Sequence, residues 1–398
     1  MKNTLCNIFE YLSLQCHNPK LSTWIILGKG PSFSKIKEYD LSHYRILTLN
    51  DAVREVTNVD IAHFIDFYAF ERCASIAIKH AKIVVLPWYP HFNNKAGTTS
   101  LAELTANNQT LLLLAKQGRL YWYDLSSSSV RYGTYPVISS IFFSSEAAID
   151  LLAISGVKTI RSLGIDGGHT YGMEFSDLTD ISCLSNNQKS FDRQFESFSK
   201  IISRTGVDYS PLDIESPIRV YVAATASESL PVKILEYSIK QHCSATVHVM
   251  ALCDANIEIP VPTSVANRSR TPFSFQRFLI PKIQEYTGRA IYLDSDMLVF
   301  KDIRQLWNLS LGDSDVLTTY SESASGRKPQ FSVMLLDCNK LTWDINEIVS
   351  QLNSGTLNYK KLMYDFTLAK TRSAIVPSWN TLESYKHGST ALLHYTDM

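Results

Sequence analysis

Short apolar runs that break off at Gly, Asp or Asn recur through the first half of this chain, and they constrain its fold more than any other feature. Trp24-Ile25-Ile26-Leu27 stops at Gly28-Lys29-Gly30-Pro31-Ser32. The run 46–49 stops at Asn50-Asp51, the run 61–65 at Asp66, the run 83–86 at Pro87, and the run 159–163 at Gly164, with Asp166 close behind. Such short apolar runs fit buried strands. Between them lie stretches of helical spacing, clearest over 140–155, where Gly156 is the stop. Strands alternating with helices predict a doubly wound parallel sheet. Ligands of such sheets sit beyond the carboxyl ends of the strands, where Gly28, Gly30, Asn50, Asp66 and Asp166 fall. Gly28 and Gly30 would let backbone amides approach a phosphate, and Ser32 would add a hydroxyl. A plain tight turn accounts for the same residues.

Residues 187–204 read as an amphipathic helix carrying Phe191, Phe195, Phe198, Ile201 and Ile202, stopped by Thr205-Gly206. Two prolines in the polar stretch 210–217 mark a boundary, giving expected domains over 1–212 and 218–398. The second domain starts afresh with Tyr221-Val222-Ala223-Ala224-Thr225, then a helical spacing at Val232, Leu235 and Ile239 and a strand over 246–252. Phe275, Phe278, Leu279 and Ile283 form one helical stripe, and Arg277 lies off it, where a solvated charge is expected.

The apolar run 290–293 then ends in Asp294-Ser295-Asp296. Alternation along an extended backbone points both carboxylates the same way, as a hard divalent cation requires. A solvated turn uses the same residue types, but the position between two apolar runs favours the cation. A short helix over 301–307, strands over 316–319 and 331–337, a helix over 362–370 containing Asp365, and a strand over 391–395 containing His394 complete the pattern.

The chain has 398 residues, 45% of them hydrophobic and 19% charged, and its formal net charge is zero. That length allows two domains, and that charge balance argues against a protein that coats nucleic acid. The seven cysteines form no Cys-x-x-Cys pair, which argues against a zinc site or disulfide scaffold and for a reducing compartment. No signal peptide and no apolar run of membrane-span length is seen. The expectation is a cytoplasmic protein, with attachment to the inner face of a membrane left open.

Leu27-Gly28-Lys29-Gly30-Pro31-Ser32, followed by Leu49-Asn50-Asp51, resembles the opening of family 42 sialyltransferases and of the related motility accessory factors. The resemblance covers about the first half. It implies that Gly28, Gly30, Ser32 and Asn50 bind a cytidine nucleotide, although Lys29 stands where that family usually has asparagine. His169 is the nearest counterpart of the family's catalytic histidine.

The second half resembles glycosyltransferase family 8, the family of glycogenin and of bacterial lipopolysaccharide galactosyltransferases. The ordered set that carries it is Tyr221-Val222-Ala223-Ala224-Thr225, the Arg277 helix, Tyr292-Leu293-Asp294-Ser295-Asp296, the strand around Val333, and Leu393-His394-Tyr395. It implies a GT-A fold and a retaining hexose transfer from a UDP-sugar. Asp294, Asp296 and His394 would hold Mn2+, or Mg2+ in its place. Ala223 and Thr225 would line the uracil pocket, Arg277 and Gln330 would face the sugar, and Asp365 would lie near the anomeric carbon. The family's glycine and diphosphate-binding lysine after the histidine would fall beyond Met398, so a truncated second domain is expected.

The leading expectation is therefore a two-domain α/β glycosyltransferase: a Rossmann-like domain, then a GT-A domain acting on a glycan or lipid-linked saccharide, in bacterial surface polysaccharide synthesis. The alternatives are a CMP-sugar transferase in the first domain, or a catalytically weak binding protein for glycan assembly.

Overall fold

The computed structural model describes residues 5–16, 23–214, 217–320 and 331–396. The chain divides into two compact units, Met1–Ile214 and Glu215–Met398. Both are mixed α/β.

The first unit is built on a nine-stranded sheet. Its strands are β1 (Cys6–Asn7), β2 (Thr23–Leu27), β3 (Arg45–Leu49), β4 (Val59–His63), β5 (Ala81–Pro87), β6 (Leu120–Leu125), β7 (Val137–Ile138), β8 (Thr159–Leu163) and β9 (Asp208–Pro211). The order is β1-β6-β5-β4-β3-β2-β8-β9, with β7 paired to β6. Every pairing in it is parallel.

Alternation along β2 shows why both faces are covered. Trp24 and Ile26 pack on one side with Ile8 and Leu12 of α1 (Ile8–Cys16), Ile149 and Leu152 of α5 (Ser144–Ile154), and Phe198 and Ile201 of α6 (Gln194–Thr205). Ile25 and Leu27 pack on the other with Phe70 and Cys73 of α2 (Phe67–His80), Leu101 of α3 (Leu101–Asn107), and Leu111 and Leu114 of α4 (Gln109–Lys116). Period two sends neighbouring residues to opposite faces, and each large apolar side chain so buried contributes about 1.5–3 kcal/mol. The expected helix over 140–155 begins at Ser144, because the backbone over 139–143 is held as a loop by side chains: Asp150 accepts from Ser139, and Glu146 from Ile141 and Phe142. The helix expected over 187–204 likewise starts late, at Gln194, after a short 3-10 turn.

Strand order reverses between β2 and β8, and the loops after these two strands cross at van der Waals limits. The Gly28 and Gly30 amides donate to the Leu163 and Gly164 carbonyls at 2.8 and 2.7 Å. A Cβ on Gly28 would lie 2.2 Å from the Gly164 oxygen. Gly164 has a φ of +72°, so both sides of the crossing demand glycine.

The second unit has a six-stranded mixed sheet of β10 (Ile218–Ala223), β11 (Val247–Ala251), β12 (Arg289–Asp294), β14 (Val316–Thr319), β15 (Val333–Asp337) and β16 (Thr371–Ile375), in the order β11-β10-β12-β15-β14-β16. β12 runs parallel to β10 and antiparallel to β15. A three-stranded sheet of β13 (Met297–Val299), β17 (Thr381–Leu382) and β18 (Leu392–His394) stands apart, with β18 in the middle. Tyr221, Phe275, Phe278, Tyr292, Met334 and Phe366 share one core. The helix expected over 362–370 is not formed. The helix there is Tyr359–Met363, and the chain turns at Phe366, whose φ is +48° and whose ring stacks on Phe331 at 4.3 Å. Burying that ring stops the helix.

Two outcomes are expected. Gly28→Ala lowers first-unit stability by about 3 kcal/mol, because the overlap is with backbone, while Gly118→Ala, at φ +67° in open space, costs about 1 kcal/mol. Denaturant melts of the two variants check this.

His63 is fully buried, bonds the Tyr123 hydroxyl at 2.8 Å, and is pushed by burial down to about 3. Below its ordinary value of 6.5 the unfolded chain takes up a proton that the folded chain refuses. Stability is therefore complete above pH 6.5 and lost as pH falls, by about 2 kcal/mol at pH 5. Urea melts from pH 7 to 5 should show this slope in the native chain and a shallower one in His63→Gln.

Candidate functional site

Two places gather most of the residues singled out by sequence, one in each unit. In the second unit, Asp294 ends β12, next to β10, and pairs with Ala223. The extended backbone stops there. Ser295 and Asp296 form a bend, and β13 starts at Met297. The two carboxylates thus converge across a bend, not along one straight strand. β13 pairs antiparallel with β18 in the register Met297 to His394, and the Tyr395 amide donates to the Asp296 carbonyl at 2.9 Å. This pairing brings in the histidine. One ligand atom from each of Asp294, Asp296 and His394 lies within 4.8 Å of the other two.

The proton inventory of this cluster fits a cation. His394 is buried, with Nδ1 2.9 Å from the amide oxygen of Asn380. An amide oxygen only accepts, so a proton sits on Nδ1, and the neutral ring then offers its Nε2 lone pair. Nε2 lies 3.2 Å from Asp296 Oδ1, a buried oxygen with no hydrogen-bond partner among the described residues. The pair is within ion-pair distance yet fails hydrogen-bond geometry. A lone pair facing a carboxylate oxygen is unfavourable until a cation lies between them. A histidine oriented through its second nitrogen is the usual supporting arrangement for a metal ligand.

Asp294 is balanced on its other side. Its Oδ1 accepts from the Tyr292 hydroxyl at 2.6 Å, and Arg277 Nη2 lies 3.9 Å away. Burial drives the Tyr292 hydroxyl far above its ordinary value, so it stays a donor. Arg277 is not the solvated charge expected from its place off the helical stripe. It is buried, because the backbone there is a 3-10 turn (Gln276–Leu279) that turns it inward. The guanidinium donates to the Ser274 and Phe331 carbonyls at 3.1 and 2.9 Å and lies 4.5 Å over the Tyr292 ring.

Ala223 and Thr225 flank the loop after β10. Thr225 donates from its amide and hydroxyl to Glu228 Oε2 at 2.6 and 2.8 Å, while Glu228 Oε1 accepts from Ser295 at 3.2 Å. Gln276 bonds both backbone groups of Ala224, at 3.0 and 2.9 Å. Asp365 is exposed on the turn after Tyr359–Met363. Gln330 lies outside the described residues. Gln276, Tyr292 and Asn380 escaped the sequence reading. Tyr292 carried a signal, being two residues before Asp294 on the same strand face. Asn380, distant in sequence, carried none.

In the first unit, Gly28, Gly30 and Asn50 line one cavity of about 200 Å3 at the reversal of strand order, together with Lys29, Asp66 and Asp166. The glycine amides are spent on Leu163 and Gly164, as described above. The Ser32 amide donates to Asp166 Oδ2 at 2.7 Å, and the Ser32 hydroxyl accepts from the Gly164 amide. Lys29 pairs with buried Asp51 at 3.4 Å. Burial would raise Asp51, yet Lys29 and Arg72 hold it below its ordinary value. His169 is exposed, with its Nδ1 on the Lys189 carbonyl, and is absent from the cavity lining.

Asn380→Ala should weaken Mn2+ binding about 10- to 100-fold while circular dichroism stays native; calorimetric titration with Mn2+ checks this, and unchanged affinity would remove Asn380 from the site.

Residues 182–360 match the family model described as glycosyl transferase family 8. That span includes Arg277, Asp294 and Asp296 and stops before His394. A 100-residue stretch is 29% identical to Protein CDI of Arabidopsis thaliana, covering 24% of this chain and 38% of that protein's length. Among solved structures, the galactosyltransferase LgtC is 12% identical, with 45% of this chain and 87% of that one covered and a TM-score of 0.29. The glycosyltransferase GlyE of Streptococcus pneumoniae is 16% identical over 45% and 55%, with a TM-score of 0.31. The bifunctional glycosyltransferase WbbM is 11% identical over 95% and 94%, with a TM-score of 0.32. Scores this low carry no argument; the family match does. The matched segment is similar to glycosyltransferases of that family. No helix among the described residues is long and apolar enough to cross a membrane.

Proposed function

We propose that the second unit is a metal-dependent, retaining hexosyltransferase that moves a hexose from a UDP-sugar to a glycan or lipid-linked saccharide. The observation that carries this reading is the cluster of Asp294, Asp296 and His394, with an oxygen of Asp296 left unpaired against the histidine. Two carboxylates and one imidazole suit Mn2+ better than an all-oxygen magnesium site. When bound, such an ion supplies positive charge to the diphosphate as the sugar leaves.

The chain's own residues bind and orient the donor. Ala223 and Thr225 line the uracil side, and the Gln276 clamp on Ala224 fixes that loop. Arg277 presents its guanidinium toward the donor sugar, held in place by the carbonyls of Ser274 and Phe331. Gln330 takes a sugar hydroxyl, and Asp365 lies on the anomeric side. Retention proceeds by front-face attack, in which the departing phosphate takes the acceptor's proton, so no enzymic nucleophile is needed. Bacterial surface polysaccharide synthesis is the setting that best fits such an acceptor, with the protein working in the cytoplasm or at the inner face of the membrane.

A donor screen tests the proposal. The full chain is incubated with UDP-hexoses and with CMP-sialic acid, with Mn2+ or with chelator, and nucleotide release is followed. UDP release should depend on metal and fall at least about 100-fold in Asp294→Ala. Release of CMP alone would move the activity to the first unit. Donor binding without turnover would make the chain a glycan-assembly binding protein.

A further inference from the structure

The cavity of the first unit is not used by the chemistry above. It sits where ligands of doubly wound sheets bind, beyond the carboxyl ends of β2, β3 and β8. Its chemistry argues against an anionic ligand. Among the described residues lining it, Lys29 is the one cation, and it is paired with Asp51. Asp66 and Asp166 add two carboxylates, and burial lowers His91 so that it is neutral. The glycine-loop amides that would cradle a phosphate are committed to Leu163, Gly164 and Asp166. A diphosphate would meet more negative than positive charge.

What the cavity does offer is acceptors and apolar surface. Asn50 is held at φ +50°, and its buried Oδ1 has no hydrogen-bond partner among the described residues, while its Nδ2 reaches Ser144 at 3.3 Å. Phe143, Phe191 and Tyr171 form one wall, with ring centroids 5.4 and 5.6 Å apart in succession. Acceptors that take hydroxyl protons beside aromatic carbon match a neutral, polyhydroxylated ligand. At about 200 Å3 the space is smaller than the roughly 300–1,000 Å3 of clefts for drug-sized ligands, which suits one sugar ring better than a nucleotide sugar. We infer that this cavity binds an uncharged saccharide residue, with Asn50 Oδ1 as a principal acceptor. The inference is independent of the UDP-sugar reading, because every lining residue lies in the first unit.

The full chain is applied to an array of neutral oligosaccharides, and the strongest hit is titrated by saturation-transfer NMR. Binding should persist in Asp294→Ala and weaken at least about tenfold in Asn50→Gly, which keeps the positive φ while removing the acceptor. Phe191→Ala supplies a second variant, on the aromatic wall, and should weaken binding likewise. Neither CMP nor inorganic phosphate should displace the hit. A blank array, displacement by CMP or phosphate, or affinity unchanged in both first-unit variants overturns the inference. UDP release by the same samples reports separately on the second unit.

Discussion

Three residues of antiparallel pairing, Met297–Val299 against Leu392–His394, hold the candidate metal centre together. Asp294 and Asp296 are placed by the end of the central strand, which the parallel partner β10 fixes on one side and the antiparallel β15 on the other. His394 arrives from far along the chain, and the registers of β18 against β13 and β17 set its height. A slip of one residue would turn it to the other face of the small sheet. The Tyr395 amide on the Asp296 carbonyl locks that register at the bend itself.

Around this pairing, the structure manages buried charge by pairing each group before burying it. Arg277 is enclosed, and a lone enclosed guanidinium would cost several kcal/mol. Two carbonyls, an aromatic face and the nearby Asp294 offset that cost. The Tyr292 hydroxyl fills one position on Asp294, leaving less freedom for the carboxylate to rotate. By contrast, Asp296 Oδ1 faces His394 Nε2 at 3.2 Å with no hydrogen-bond partner among the described residues. Among the described residues, this unpaired oxygen is where a cation fits.

The strands of both units were largely legible, because buried parallel strands read as apolar runs whatever surrounds them. The glycines after β2 were also visible, but their meaning was not. Only the carbonyl of Gly164, distant in sequence, shows that they permit two loops to cross. Helical periodicity alone placed Arg277 off the apolar stripe as a solvated charge, whereas the 3-10 turn there buries it. The helix around Asp365 was misread because the stacking of Phe366 on Phe331 is a tertiary contact that overrides local propensity. Asn380 had no local signal at all: its role exists only once β18 has delivered His394.

Glu228 spans two loops with one carboxylate. One oxygen holds both donors of Thr225, and the other receives Ser295, which sits between the two aspartates. The loop after β10 and the bend after β12 therefore share a single tether. In mechanical terms, this links the loop that follows Ala223 to the bend that carries Asp296. A substitution that removes the Glu228 carboxylate would therefore release both loops at once.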